Sequence, residues 1–257
     1  MLTVENTKVE GWEPAIRGMR NPLNSWEKSD SLFYNGERDG HSEYRTILGE
    51  IASGWHNEKA EFILGPNDKD LMERLAKAGK DHAKYRRMIT VTADIIAPLY
   101  FLKEWDTYKV GTVANSCSTM HKIAAKEFTL EDFSCEHLMS ILFDDSIYTD
   151  EEYEELEWKG EIEPGTPIYP KEILELTITS LNLCRKRYLE TKDKRYWWQL
   201  IQLLPSSYNQ RRTVMLNYEV LANIYHARKD HKLDEWHTFC DWAKELPESW
   251  IFTGDDV

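Results

Sequence analysis

A strand-forming segment that ends at a proline limits the possible folds more than any other feature of this sequence. Residues 86–96 alternate in polarity and are rich in β-branched side chains, which is typical of a strand with one buried face. Ala97-Pro98 ends that pattern, and residues 99–109 predict a helix that begins beside the proline. The chain therefore combines at least one buried strand with helices.

Two more strands are predicted before this segment. Residues 9–16 favour one strand, and residues 58–64 favour another that ends at a Gly-Pro turn. We expect the turn to open a helix capped by Asn67 or Asp68, because short polar side chains accept the free N–H groups of a helix start. Gly79 then marks the end of that helix.

The last third of the sequence has apolar residues at helical spacing. The predicted helices cover residues 171–191, 196–204, 211–228 and 233–246. The first of these is so rich in apolar residues that we expect it to be largely buried.

Residues 144–170 differ from the rest of the chain. Asp and Glu residues crowd together there and prolines follow, which predicts a solvated insertion or linker with one acidic helical turn. An acidic segment that binds a partner is the alternative.

Charge and cysteine content exclude several classes of protein. The chain has 257 residues and a formal net charge of -13, which disfavours binding to duplex nucleic acid or to an anionic membrane surface. A local basic pocket for a small anion is still compatible with that charge. No apolar run approaches the roughly 20 residues of a membrane helix. The four cysteines form no C-x-x-C pair, so we expect small buried thiols and a cytoplasmic protein.

Residues 105–122 carry more small polar side chains than a structural connection needs. Thr112, Asn115, Ser116 and Ser118 can each bind a phosphate, ribose or base edge, and Lys109 and His121 can add positive charge. An ordinary capped loop is the alternative interpretation.

Residues 204–228 hold a second polar set. Asn217 and Arg228 are eleven residues apart, so on one continuous helix they would share a face, since eleven steps of about 100° nearly close a turn. Such groups need hydrogen-bond partners when buried. A ligand would satisfy them, and so would an internal salt bridge.

Four segments occur in an order that is known from one enzyme family. Residues 15–20 form an Ala/Arg-rich segment, and residues 75–82 form a helix end followed by glycine and histidine. Residues 89–105 form a strand, an Ala-Pro break and a helix, and residues 204–228 begin with Leu-Pro and end with arginine. In this order the chain resembles the flavin-dependent thymidylate synthase (ThyX) family over most of its length, apart from residues 27–57 and 144–170.

The family signature R-H-R-x-x-S-x-N-E-x-S-x-R has only a partial counterpart here. Residues 107–109, Thr-Tyr-Lys, stand in the R-H-R place, and the segment that follows keeps the hydroxyls and the amide. Glu219 stands where the family's N-x-R carries arginine. Because Lys and Thr cannot replace a guanidinium fork, a bidentate phosphate clamp cannot persist unchanged.

The resemblance implies a single α/β (α+β) domain over residues 1–257, with a central, mostly antiparallel sheet flanked by long helices. It implies a homotetramer that binds FAD and a nucleotide such as dUMP. NADPH and methylene-tetrahydrofolate would take part only if the family activity is retained. The implied substrate-binding residues are Lys109, Thr112, Asn115, Ser116, Ser118, His121 and Arg228, and the implied cofactor-binding residues are His82, Arg87, Arg211 and Asn217.

Three hypotheses follow from the sequence. The first is a ThyX-like flavoenzyme that transfers a methylene or methyl group to a pyrimidine nucleotide. The second is a non-catalytic nucleotide-binding protein on the same scaffold, and the third is an interaction protein that uses its tryptophans and acidic insertion. We predict no metal site, because His226, His231 and His237 do not share one helical face.

Overall fold

The structure is a computed structural model, and it describes residues 1–52, 60–140, 149–161, 163 and 169–254. These residues gather into two compact units. The first unit comprises residues 1–3, 95–106 and 116–212, and the second comprises residues 4–94, 107–115 and 213–257. Whether residues 1–257 behave as one domain stays a prediction.

The strands form two sheets. They are β1 (Thr3–Glu10), β2 (Leu32–Arg38), β3 (His41–Arg45), β4 (Phe62–Ile63), β5 (Thr90–Pro98), β6 (Val113–Ser116) and β7 (Asn209–Asn217). One sheet has the order β1-β5-β7-β6 and the other has the order β3-β2-β4, in which both pairs are antiparallel.

The helices follow the strands as a mixed α/β chain, with most of the helical residues towards the C-terminus. They are α1 (Trp12–Arg20), α2 (Pro66–Lys77), α3 (Leu99–Trp105), α4 (Asp150–Trp158), α5 (Pro170–Thr191), α6 (Lys194–Leu203), α7 (Tyr218–Arg228), α8 (Asp234–Lys244) and α9 (Trp250–Thr253). The predicted mixed class, antiparallel pairing and helix-rich C-terminal third are confirmed. In the described ranges, the longest helix is still too polar to cross a membrane.

The strand before Ala97-Pro98 is confirmed with shifted ends. β5 begins at Thr90 and buries every second residue from Val91 to Ala97, as expected for a strand with one buried face. Arg86 and Arg87, predicted as strand, lie in a 3-10 turn (Lys84–Arg87). The following helix, α3, ends at Trp105 and leaves Lys109 in a loop.

The strand predicted over residues 9–16 is wrong in its second half. β1 ends at Glu10, and α1 starts at Trp12. The buried residues of α1 fall at Trp12, Ala15, Ile16 and Met19, which is helical spacing. The strand prediction missed this period because Glu13 and Pro14 interrupt the apolar residues.

The helix predicted over residues 211–228 is also wrong in its first half. Residues up to Asn217 belong to β7, and only α7 is helical. Val214 and Leu216 are buried while Thr213 is exposed, which is the period of a strand. β7 could not be identified from the sequence because its alternating run is short and lies directly before a helix.

The first unit has its own apolar core, and α5 contributes one narrow face to it. The core consists of Ile123, Ala124, Phe128, Phe133, Leu174, Leu181 and Leu200. Only Leu174 and Leu181 of α5 are buried, so the prediction of a largely buried helix is wrong. Ile178, Cys184 and Tyr188 are partly buried against this core, whereas Ile173, Leu176, Leu183 and Leu189 are exposed.

Cysteine burial follows the prediction at one position. Cys240 is buried, and burial raises the pKa of its thiol to about 11, so it stays protonated at neutral pH. Cys117 is exposed, and Cys135 and Cys184 are half-buried.

Of the acidic insertion, α4 is described and is longer than the one turn expected. Residues 144–148, 162 and 164–168 lie outside the described residues.

A buried carboxylate organises the second unit. Asp68 accepts a hydrogen bond from Arg20 Nε at 2.5 Å, and both side chains are almost inaccessible to water. It also accepts hydrogen bonds from the hydroxyls of Ser29 and Ser31, each at 2.7 Å. The carboxylate therefore joins α1, α2 and the chain between α1 and β2.

The start of α2 is capped by a residue that the sequence did not indicate. Asp30 accepts hydrogen bonds from the backbone N–H groups of Asn67 and Asp68, at 3.0 and 3.2 Å. Gly65 occupies the N-cap position. The prediction of Asn67 or Asp68 as the cap is therefore wrong, because the acceptor comes from a distant loop.

We expect Asp68→Asn to lower the free energy of unfolding by about 3 kcal/mol, since Arg20 would remain buried without a charged partner. Urea denaturation followed by circular dichroism measures the change. Asp70→Asn is the matched control, because its pair with Arg74 is exposed and worth at most about 0.5 kcal/mol. Equal midpoints for the two variants would contradict the role of Asp68.

Candidate functional site

An arginine held between two aromatic rings contacts the polar loop of the second unit, which comprises residues 107–115. Arg228 Nε donates a hydrogen bond to the Tyr108 hydroxyl at 2.9 Å. The guanidinium carbon lies 4.9 Å from the centroid of Trp236 and 5.6 Å from that of Tyr108. These contacts fix the orientation of a half-buried cation at the C-terminal end of α7, where the helix dipole also favours positive charge.

A second contact holds the same loop against the start of α7. Gly111 has a φ of 81°, and a Cβ there would lie 3.2 Å from Asn217 Nδ2 and from Val220 Cγ2. Thr112 Oγ1 donates to the Tyr108 carbonyl at 2.5 Å, which closes the loop on itself. Residues 107–115 therefore contact α7 at both ends, and both the positive φ and these close contacts favour glycine at position 111.

The structure corrects the prediction that Asn217 and Arg228 share one helical face. Asn217 is the N-cap of α7, where its Oδ1 accepts from the Val220 N–H at 3.0 Å. Arg228 is the last residue of the same helix, about 16 Å further along at 1.5 Å per residue. Both side chains have partners within the protein, so neither needs a ligand to satisfy it.

The side chain of Glu219, which stands in the place of the family's arginine, is buried. Glu219 lies in the first turn of α7 and is 8% exposed. Burial raises the pKa of the neighbouring Tyr85 phenol to about 12. Arg86 lowers this pKa, and Glu219 raises it further. Within the described ranges, Glu219 Oε2 and Arg86 Nε have no hydrogen-bond partner although both atoms are buried. Glu219 therefore belongs to a buried charged cluster in this chain.

Several exposed cations of the second unit lie in the segment before β5. His82 precedes the 3-10 turn Lys84–Arg87, Arg87 is its last residue, and both side chains are exposed. Lys80 donates to Asn223 Oδ1 of α7 at 2.9 Å. Lys109 and Asn115 are exposed as well. His82, Arg87, Lys109 and Asn115 are thus the predicted site residues of this unit that are exposed.

The first unit holds the remaining predicted residues. The Cys117 N–H donates to the Arg211 carbonyl at 2.9 Å, and Gln210 Nε2 donates to the Cys117 carbonyl at 2.7 Å. Ser118 Oγ accepts from the His121 N–H at 3.0 Å. Ser116, Ser118, His121 and Arg211 are all exposed. The predicted site residues are thus divided between the two units.

A cavity of the second unit involves none of the predicted residues. It has a volume of about 730 Å³ and is lined by Trp12, Phe62, Trp242 and residues of β1. No group of His, Cys, Asp or Glu suited to a metal occurs among the residues for which the structure gives positions. The polar loop itself is an exposed surface.

Sequence reasoning missed two residues that shape the loop. Tyr108 and Trp236 position Arg228, yet they are far apart in the sequence and neither has a motif. The only sequence signal was that Tyr108 lies inside the polar segment that replaces R-H-R.

Comparison with known proteins identifies the fold. Neither a protein-family model nor a curated protein sequence matches this chain. Among solved structures, the ThyX of Helicobacter pylori complexed with FAD and dUMP has a TM-score of 0.56 and 15% sequence identity. The alignment covers 97% of this chain and 96% of that one. The UMP/dUMP methylase PolB of Streptomyces cacaoi, bound with 5-Br dUMP, has a TM-score of 0.54 and 12% identity, and covers 99% and 95%.

These similarities extend over nearly the whole length of both chains. They confirm the predicted ThyX-like fold, which the sequence indicated only by the order of its segments. At 12% to 15% identity they establish the fold and leave ligands and reaction to be argued from this chain's residues.

We expect Gly111→Ala to destabilise the protein by about 2–3 kcal/mol, since alanine is strained at positive φ and its Cβ would press on Asn217 and Val220. Gly49→Ala is the control: Gly49 has a φ of 87° but no atom within 4 Å of the added Cβ. It should cost only the backbone strain of about 1–2 kcal/mol. Urea unfolding of the two variants isolates the loop contact, and identical losses would show that it carries no weight.

Proposed function

We propose that this protein is a flavoprotein that binds a pyrimidine mononucleotide and transfers a one-carbon unit to it. The observation that supports this most is the similarity of fold over nearly the whole chain. Structures with this fold hold FAD and dUMP in one case and 5-Br UMP or 5-Br dUMP in another. Lys109 and Asn115, both exposed in the second unit, supply polar groups for such a nucleotide.

The residues before β5 fit the phosphate-bearing end of a flavin nucleotide. Residues 80–87 contain four lysine or arginine residues, one histidine and one aspartate, in a chain whose net charge is -13. His82 and Arg87 are exposed there. In this proposal they bind the cofactor phosphates by charge-assisted hydrogen bonds, while Asn217 keeps its capping role.

The bound flavin would supply the redox and one-carbon chemistry, and NADPH and methylene-tetrahydrofolate belong to the proposal only with it. The chain's own contribution is binding and orientation. Lys109 offers a single ammonium charge to the nucleotide phosphate, and Asn115 of the same unit offers its amide to phosphate or ribose. Arg228, fixed by Tyr108 and Trp236, acts as a positioned cation beside the loop.

A non-catalytic nucleotide-binding protein is the second candidate. It is favoured by the sequence Thr-Tyr-Lys at residues 107–109, which lacks guanidinium groups, and by the inward-turned carboxylate of Glu219. Both features weaken the electrostatic activation of a nucleotide more than they weaken its binding.

We further propose that the chain assembles with copies of itself through α5. Ile173, Leu176 and Leu183 are 47%, 55% and 61% exposed, and they fall within about 80° of arc on the helix. An apolar helix face of this kind is typical of surfaces that are covered in an assembly. A second copy of the chain, with the same face, is the occupant that we propose.

We expect the purified protein to show the flavin absorbance band, or to gain thermal stability on addition of FAD, because ligands that bind the folded state stabilise it. Arg87→Ala should weaken FAD binding about tenfold, since it removes a charge-assisted contact to phosphate. Arg74→Ala is the control, because Arg74 is an exposed arginine already paired with Asp70. Absence of both the chromophore and any FAD-induced shift would count against the flavoprotein.

The same titration separates the two candidates. A thermal shift with UMP or dUMP in the absence of flavin, together with no shift from FAD, supports the non-catalytic binder. Methylation of either nucleotide by the flavin-loaded protein supports the enzyme. No response to any nucleotide would contradict both.

We expect Leu183→Lys to dissociate the assembly, because it places a charge in the apolar face of α5. Gln199→Lys adds the same charge at an exposed position of α6 and should leave the mass unchanged. Light scattering after size-exclusion chromatography gives the mass of each. A monomeric native protein would end the proposal.

A further inference from the structure

A basic and aromatic cavity lies wholly inside the first unit, at the turn between α5 and α6. Its volume is about 410 Å³, within the usual range for small-molecule sites. The lining residues are Met120, His121, Ile123, Ala124, Tyr188, Lys192, Lys194 and Trp197. None of these described lining residues carries a carboxylate, although acidic residues outnumber basic ones by 45 to 32 in the chain as a whole.

The two lysines keep their charge available. Lys192 and Lys194 flank Asp193, but the Asp193 carboxylate binds Arg195, whose Nη2 lies 2.7 Å away. In the parts of the chain that the structure describes, neither lysine has a carboxylate within ion-pair distance. Each ammonium instead lies over aromatic rings, 5.8 Å from the centroid of Tyr188 for Lys192 and 5.9 Å from that of Trp197 for Lys194. A cation–π contact orients an ammonium without cancelling its charge.

The aromatic wall is held in place by a backbone contact. Trp197 Nε1 donates a hydrogen bond to the Met120 carbonyl at 3.1 Å, which fixes the indole ring next to His121. The buried side chains of Ile123 and Ala124 form the floor. The cavity thus offers a fixed flat ring, two ammonium groups and an imidazole on an apolar base.

We propose that this cavity binds a nucleoside phosphate, with the phosphate between Lys192 and Lys194 and the base against Trp197. Lysine ammonium groups and histidine donate to phosphate oxygens, and aromatic side chains stack on bases. The site goes beyond the proposed function, because it needs neither the flavin nor any residue of the second unit. It is a second nucleotide site or a regulatory one.

Fluorine NMR of the full-length protein labelled with 5-fluorotryptophan tests the proposal directly. Trp197→Phe identifies the Trp197 resonance among the ten tryptophans. Titration with UMP should move that resonance, and uridine and inorganic phosphate should each bind at least about tenfold more weakly, because each lacks one half of the contact. The Lys192→Gln/Lys194→Gln double variant should raise the Kd for UMP about tenfold or more.

Lys103→Gln/Lys229→Gln is the control, since it removes the same net charge at exposed positions outside the cavity. It should bind UMP as the native protein does. The single variant Lys194→Gln gives the same readout if the double variant fails to fold.

Three results would overturn the site. They are a Trp197 resonance that does not move at saturating UMP, equal affinity of the lysine variants and the native protein, and equal affinity for inorganic phosphate and UMP. Because the readout is local to Trp197, loss of flavin binding elsewhere would neither produce nor hide these results.

Discussion

The Asp68 carboxylate is the constraint on which the second unit depends. It is buried, it carries a charge, and it accepts from Arg20 and from two serines. A charge without water has to be matched by donors at fixed positions, so α1, α2 and the chain between α1 and β2 must meet where the carboxylate lies. Asp30 then caps α2 from that same loop. The place of α2 in this unit follows from this arrangement.

The charges at the candidate ligand surfaces are held differently from the buried ion pair of Arg20 and Asp68. At Arg228 and at the turn between α5 and α6, cations lie against aromatic rings. Aromatic rings hold a cation in one orientation without neutralising it, and among the described residues Lys192 and Lys194 have no carboxylate within ion-pair distance, so they can still attract an anion. In a chain of net charge -13, these places and the segment before β5 are where an anionic ligand would meet favourable charge.

Much of the fold was predictable because it depends on local patterns. The strand before Ala97-Pro98, the end of α2 at Gly79 and the extent of α5 were all found from spacing and from proline or glycine. Residues 9–16 and 211–217 were misjudged because short runs of apolar residues fit a strand and a helix almost equally well. The burial of α5 was misjudged because periodicity identifies an apolar face but does not identify what covers it.

The candidate site was less predictable for the same reason. The sequence located the polar segment after Trp105 and the polar residues at the two ends of α7, since polar residues are conspicuous among apolar ones. It could not identify Tyr108 and Trp236 as the partners of Arg228, nor join His121 to Lys192 and Lys194, because those contacts link residues many positions apart. It matched Glu219 to the arginine of N-x-R but did not indicate that its side chain is buried.

The sequence by itself determined the class of fold, the order of its main segments and the excess of negative charge, because each of these follows from composition and from periods of two or 3.6 residues. Only the tertiary structure decided which cations are free of carboxylates, which polar groups are used as caps, and which apolar face of α5 is exposed. Those properties depend on distances between residues remote in the chain, and such distances are set when the whole core packs together.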